Sequence, residues 1–150
     1  MRILVLLVVL TACGTQAGAP DRACTEIGTP VGIGVRIAPS VAARFTGTTS
    51  LEACWNGACH TYPVALSPET TATGSTCTGT APDDTCTARM RETGGKTGFA
   101  NVPGLPAAAV RVTFSGETVD VTPKLLYPNG PDCGAGGPQA NLVVDAQGVR

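Results

Sequence analysis

The sequence predicts an all-β chain: a single immunoglobulin-like or transthyretin-like β-sandwich of about seven to eight short strands, stapled by disulfides. Three observations carry that reading. No window of eleven or more residues repeats its apolar positions at the helical period. Short segments that alternate apolar with polar residues recur along the chain, separated by Gly, Pro and Asn clusters, as in sandwich folds. Cysteines also bracket two turn regions, Cys54 with Cys59 and Cys77 with Cys86.

In chain order, Val31, Ile33, Val35 and Ile37 alternate with Gly32, Gly34 and Arg36, which puts one apolar face on a strand. Pro39 stops it, and Val41 to Phe45 is read as its resumption. Next, Asn56-Gly57 separates two alternating segments and is the preferred two-residue hairpin turn, since both positions take positive φ. That turn sets Trp55 opposite Ala58, Cys54 opposite Cys59, Ala53 opposite His60 and Leu51 opposite Tyr62. The pair Cys54–Cys59 then falls at a non-hydrogen-bonded position, where opposed Cα atoms lie only ~4.5 Å apart and a disulfide fits across the strands. Leu51, Ala53, Trp55, Ala58, His60, Tyr62 and Val64 share the face assigned to the core, with the disulfide on the other.

Ser67 to Pro82 lacks apolar periodicity and reads as a loop, with Cys77 and Cys86 closing a small ring around Pro82-Asp83-Asp84. Thr87 to Glu92 is read as a strand ended by a Gly94-Gly95 turn, and Phe99 to Val102 as a short extended piece stopped by Pro103-Gly104. A second hairpin follows, with Val110, Val112 and Phe114 before a Ser115-Gly116 turn and Val119 and Val121 after it. Pairing Val112 with Val119 and Val110 with Val121 gathers the apolar residues on one side, and a one-residue slip would scatter them. Lys124 to Tyr127 is read as another short strand, Pro128 to Pro138 as an irregular Gly/Pro loop, and Leu142 to Val144 as the last strand. Residues 146–150 are expected to fray.

The chain has 150 residues, 10 Lys and Arg, 11 Asp and Glu, and a net charge of −1, which suits one domain with a core. It contains no run of Lys or Arg of the kind that clusters against phosphates, so nucleic acid is not an expected partner.

The first thirteen residues have their own logic. Arg2 is followed by an unbroken apolar run from Ile3 to Leu10 and then by Thr11, Ala12 and Cys13, the order of an export signal. Leu10-Thr11-Ala12-Cys13 resembles a bacterial lipobox. The resemblance implies that residues 1–12 are removed and that Cys13 takes a diacylglycerol, anchoring the chain in the cell membrane on its extracytoplasmic face. Residues 13–23, rich in Gly, Ala and Pro, would be a flexible tether, and 24–145 the sandwich. Cysteine parity agrees: of seven cysteines, lipid on Cys13 leaves six. Oxidising surroundings make three disulfides the expectation. With Cys54–Cys59 and Cys77–Cys86 assigned, Cys24–Cys133 follows by elimination.

His60 is the one histidine, so Ser/His/Asp or Cys/His catalysis would have to use it. It stands on the assigned core face, Gly-x-Ser-x-Gly is absent, and each remaining cysteine has a partner, so His60 is read as structural and the chain as non-enzymatic. Zinc at Cys54, Cys59 and His60 is disfavoured because the second half of a zinc motif is missing, and no metal or cofactor is expected. Asp83, Asp84 and Asp132 lack the regular spacing of a calcium loop. Thr70 to Thr80 has a composition that either O-glycans or plain solvation would explain. The candidate binding surface is the loop carrying Tyr127, Asn129, Asp132 and Gln139, since long irregular loops on rigid sandwiches are where binding is commonly placed. The lipobox, the Cys-Trp-Asn-Gly-Ala-Cys hairpin and the Tyr-Pro-Asn-Gly-Pro-Asp-Cys loop together resemble exported lipoproteins of actinobacterial type with an Ig-like domain. That family brings no known activity with it. The expectation is a surface binding or interaction module with a protein or glycan partner; the alternatives are a small exported cell-wall hydrolase and a purely structural surface module.

Overall fold

A computed structural model describes residues 24, 28–81 and 84–150. The signal segment, Cys13, the tether and Asp83 lie outside those residues. The described chain is all-β, and its nine strands form one nearly closed, barrel-like sheet where a two-layer sandwich was expected.

In order, the strands are β1 (Gly32–Ile37), β2 (Thr48–Trp55), β3 (Ala58–Cys77), β4 (Cys86–Asn101), β5 (Val110–Phe114), β6 (Glu117–Val121), β7 (Lys124–Leu125), β8 (Pro138–Asp145) and β9 (Gly148–Val149). They are hydrogen-bonded in the sequence β6-β5-β2-β3-β4-β1-β8-β7, with β9 also on β8. Only the β1–β8 pair is parallel. The outer strands β6 and β9 meet through the Glu117 carboxylate, whose Oε2 accepts the Val149 N–H at 3.0 Å. At the other end of this seam the chain itself crosses, passing from Val121 of β6 to Lys124 of β7. Closure of this kind removes the unpaired edges that an open sheet would present.

The alternating segments supply the interior. Ile33, Val35 and Ile37 of β1, Leu51 and Ala53 of β2, Val64 of β3, Val110, Val112 and Phe114 of β5, and Leu142 and Val144 of β8 are buried together. Phe45 stacks on Phe114 with ring centroids 5.8 Å apart. Gly32 is required where it stands, because a Cβ there would lie 2.0 Å from the Ala100 carbonyl oxygen and against the Phe99 ring. Both hairpins have the expected registers, Cys54 opposite Cys59 and Val112 opposite Val119. At the first turn Asn56 and Gly57 have φ of 50° and 77°.

Five expectations are corrected. Ser67 to Cys77 is not loop but the far half of β3, and Gly94-Gly95 is not a turn but part of β4. Residues 41–45 do not resume β1; Ala42–Arg44 form a 3-10 turn that buries Val41 and Ala42. Of Lys124 to Tyr127 only Lys124–Leu125 is strand. The last residues do not fray: β9 pairs with β8, and Arg150 exchanges backbone hydrogen bonds with Val143 at 2.7 and 3.0 Å.

Candidate functional site

The register of β1, β3 and β4 gives the molecule two unlike ends. β1 begins at Gly32, opposite Asn101 and beside Gln139, and ends at Ile37, opposite Lys96. β2 stops pairing with β3 at Thr48–Ala65, and β1 stops pairing with β4 at Ile37–Lys96. Beyond the Pro68–Lys96 pair, β3 and β4 therefore have only each other, and they continue to the Cys77–Cys86 pair. At about 3.4 Å per residue the pair reaches roughly 30 Å past the barrel. This two-stranded arm leaves from the end opposite the one where β1 starts.

Among the described residues, nothing packs on the arm between Thr70 and Glu92. Every residue from Thr70 to Ala81 and from Cys86 to Glu92 is exposed, Met90 at 59%. A two-stranded hairpin without a core is marginal in water, so its order must come from the ladder and from what is fastened at its ends. At the tip the Cys77–Cys86 disulfide joins directly opposed residues with Cα atoms 4.1 Å apart. The turn beyond it is held by the Asp84 carboxylate, which accepts the Ala81 N–H at 2.6 Å. At the root, Glu69 bonds to Arg36 of β1, and its other oxygen accepts the Thr93 hydroxyl at 2.6 Å. The Thr93 oxygen in turn accepts the Gly95 N–H at 3.1 Å, and the Lys96 ammonium donates to the Phe45 carbonyl. The Thr93 hydrogen bond, followed by the one from Arg36, holds the Glu69 carboxyl below its usual range. A depression of about 230 Å³ adjoins this root, lined by Arg36, Glu69, Asp145 and Arg150 among others. Hydrogen bonding from Arg150 and from the Gln147 N–H keeps Asp145 below its usual range as well.

The arm has two faces. Pairs Ala72–Met90 and Ser75–Ala88 alternate with Thr71–Arg91, Gly74–Arg89 and Thr76–Thr87. Successive strand residues point to opposite sides. Ala72, Ser75, Ala88, Met90 and the disulfide thus share one side, with Thr70 and Glu92 toward the root, and Thr71, Thr76, Thr87, Arg89 and Arg91 lie on the other. A bulge at Thr73, whose hydroxyl donates to the Arg89 carbonyl at 3.2 Å, interrupts the register midway.

The candidate loop lies at the opposite end. Cys133 is bonded to Cys24, with Cα atoms 5.5 Å apart. The Gly137 N–H donates to the Thr29 hydroxyl at 2.9 Å, and the Gln139 amide donates to the Pro30 carbonyl at 2.7 Å. Much of this loop is thus a clamp on the segment leading into β1. Tyr127 is 48% exposed, whereas Asn129 is half-buried and Asp132 lies in the 3-10 turn Pro131–Cys133. Asp84 and Asp132, considered together for calcium, sit at opposite ends of the molecule.

His60 is not in the core. It is exposed between half-buried Trp55 and Tyr62, with ring centroids 6.2 and 6.5 Å away. The reason is local: β5 pairs with β2 only across Leu51–Cys54, and β4 ends at Asn101, so Trp55 and Tyr62 pack on the rim of the core while His60 between them stays exposed. The Cys54–Cys59 disulfide lies on the outward side, beside a shallow depression of about 460 Å³ that includes Trp55, Arg111 and Asp120. Glu52 approaches both sulfurs, but disulfide sulfurs are not thiolates and offer a metal little.

The site that the sequence reading missed is the arm. Its signal was present: β-branched threonines precede Cys77, a two-residue alternation follows Cys86, and the cysteines bracket the turn between them. No family model, curated protein or solved structure matches the chain.

Proposed function

We propose that this chain is an extracytoplasmic lipoprotein, held to the membrane through Cys13, that serves as an interaction module and makes contact through its β3–β4 arm. The observation that carries the reading is the polarity of the fold. Cys24 and the start of β1 stand at one end, and the arm leaves from the other. A chain tethered ahead of Cys24 would present the arm outward, roughly 30 Å beyond the barrel. The Gly/Pro loop, clamped to residues 29–30, would lie on the membrane side, which favours the arm over that loop as the distal contact. Exposed Met90 on the small apolar side, and Arg89 and Arg91 on the other, give the arm chemistry suited to a protein surface.

Two measurements test the reading. Intact mass of the full chain from a lipoprotein-processing bacterium should show diacylglycerol on Cys13 and six further thiols that appear only on reduction. An unlipidated mass would remove the address. A photo-cross-linking residue placed at Met90 should form covalent adducts on living cells while one at Thr61, on the barrel wall, does not. Adducts from Thr61 alone would remove the arm from the proposal.

A further inference from the structure

We infer that the β3 edge of the arm, Thr70–Cys77, pairs with the same edge of a second copy of this chain around a two-fold axis; this rests on the arm being the contact element. Beyond the barrel each arm strand is hydrogen-bonded on one side only, so two backbone edges stand open over the length of the ribbon. Open edges recruit further strands unless charges, prolines or distortions protect them. The two edges are protected unequally. β4 carries Arg89, Arg91 and Glu92, whereas β3 has no charged residue and no proline from Thr70 to Cys77 and is distorted only at the Thr73 bulge.

Charge selects the occupant. Setting β4 against its own copy brings Arg89 and Arg91 of one chain toward those of the other, and like charges directly opposed in a sheet are unfavourable. Setting β3 against β3 opposes threonine, serine, alanine and glycine, among which Thr–Thr and Thr–Ser pairs are favourable. A strand of foreign sequence chosen by charge would find nothing to read along this edge, while its own copy fits it without conflict. A two-fold pairing also closes at two chains, whereas β3 against β4 would leave one edge of each kind open and propagate. With the axis perpendicular to the ribbon, the sides bearing Ala72, Ala88 and Met90 become continuous across a four-stranded sheet, past the two strands that are marginal in water by themselves.

The bulge at Thr73 sets the strength. It divides the edge into Thr70–Ala72 and Gly74–Cys77, so the pairing is short and weak in dilute solution. Confinement to a membrane raises the effective concentration and restores it.

The experiment uses the full chain in its own membrane, with a photo-cross-linking residue at Ser75. The expected product is a band of twice the chain mass whose peptides come from this chain alone. Thr70→Lys, which faces Glu92 within its own arm, combined with Thr76→Lys, which faces Thr87, should lower its yield about tenfold or more, with the same number of disulfides formed. Absence of a doubled product, or a doubled product indifferent to the two lysines, overturns self-pairing. An adduct at Ser75 with a different protein overturns self-pairing but leaves the arm as the contact. No adduct from either Ser75 or Met90 overturns both.

Discussion

β3 and β4 are each two materials in one strand. Below Pro68 and Lys96 they are staves of the barrel, with Val64 and Ala100 buried and neighbours on both sides. Beyond Thr70 and Glu92 the same strands run on with no residue buried, one neighbour each, and a disulfide at the tip. The lower part is held by removing apolar surface from water, which acts at about 25 cal/mol per Å². The upper part has no such term and depends on its ladder, its polar root and its staple. A long coreless ribbon adds nothing to the stability of the barrel, and this difference points to the arm as the element that makes contact.

The largest effect expected on the barrel comes from the long-range staple. Replacing Cys24 and Cys133 together by Ser opens a loop with a separation of 109 residues, and the entropy model puts the loss at nearly 5 kcal/mol. Chemical denaturation of the variant checks it, and an unchanged midpoint would show that the clamp bonds at Thr29 and Gln139 suffice. Close behind comes Phe114→Ala, which removes a fully buried ring stacked on Phe45 and should cost about 3–5 kcal/mol. Gly32→Ala should follow at about 1–3 kcal/mol, since its methyl group meets the Ala100 carbonyl rather than open space. Thermal melting ranks the two.

Acid sharpens the comparison at the boundary between the regions. Glu69 and Asp145 both have folded pKa values below their ordinary ones of 4.5 and 3.8, so each contributes stability that is fully present only above those values and is lost as pH falls through the folded value. Protection of the Gly95 amide, bonded to Thr93 at the root, relative to its intrinsic exchange rate should therefore fall below about pH 4, and Glu69→Gln should abolish that step. A root protection factor that stays constant through this window would contradict the assigned role of Glu69. The smallest global effect belongs to the tip. Removing Cys77 and Cys86 together should loosen the arm while leaving the barrel's denaturation midpoint within about 0.5 kcal/mol.

How much of this was legible in the sequence follows the same division. Where burial imposes a two-residue period, as at Val31 to Ile37 or Val110 to Val121, strands and registers could be read, because a slip would expose the apolar set. In the arm no residue is buried, so Thr70 to Thr76 carries no period and resembled a loop; only its β-branched composition and the bracketing cysteines hinted otherwise. His60 was misplaced for a related reason. Alternation tells which residues share a face, but not how far along that face the covering strands extend. Closure into a barrel was hidden too, since it depends on the chain crossing between Val121 and Lys124 and on one bond from Glu117 to Val149.

The most direct test of the two-part account is amide hydrogen exchange on the disulfide-intact protein at high dilution, where self-pairing is absent. The account predicts that amides of Ile33–Ile37 and Val110–Phe114 exchange only through global unfolding, while those of Thr70–Thr76 and Ala88–Arg91 exchange orders of magnitude faster with the barrel intact. Arm amides as slow as those of the barrel under these conditions would contradict it, since the ribbon would then share the cooperative stability of the core.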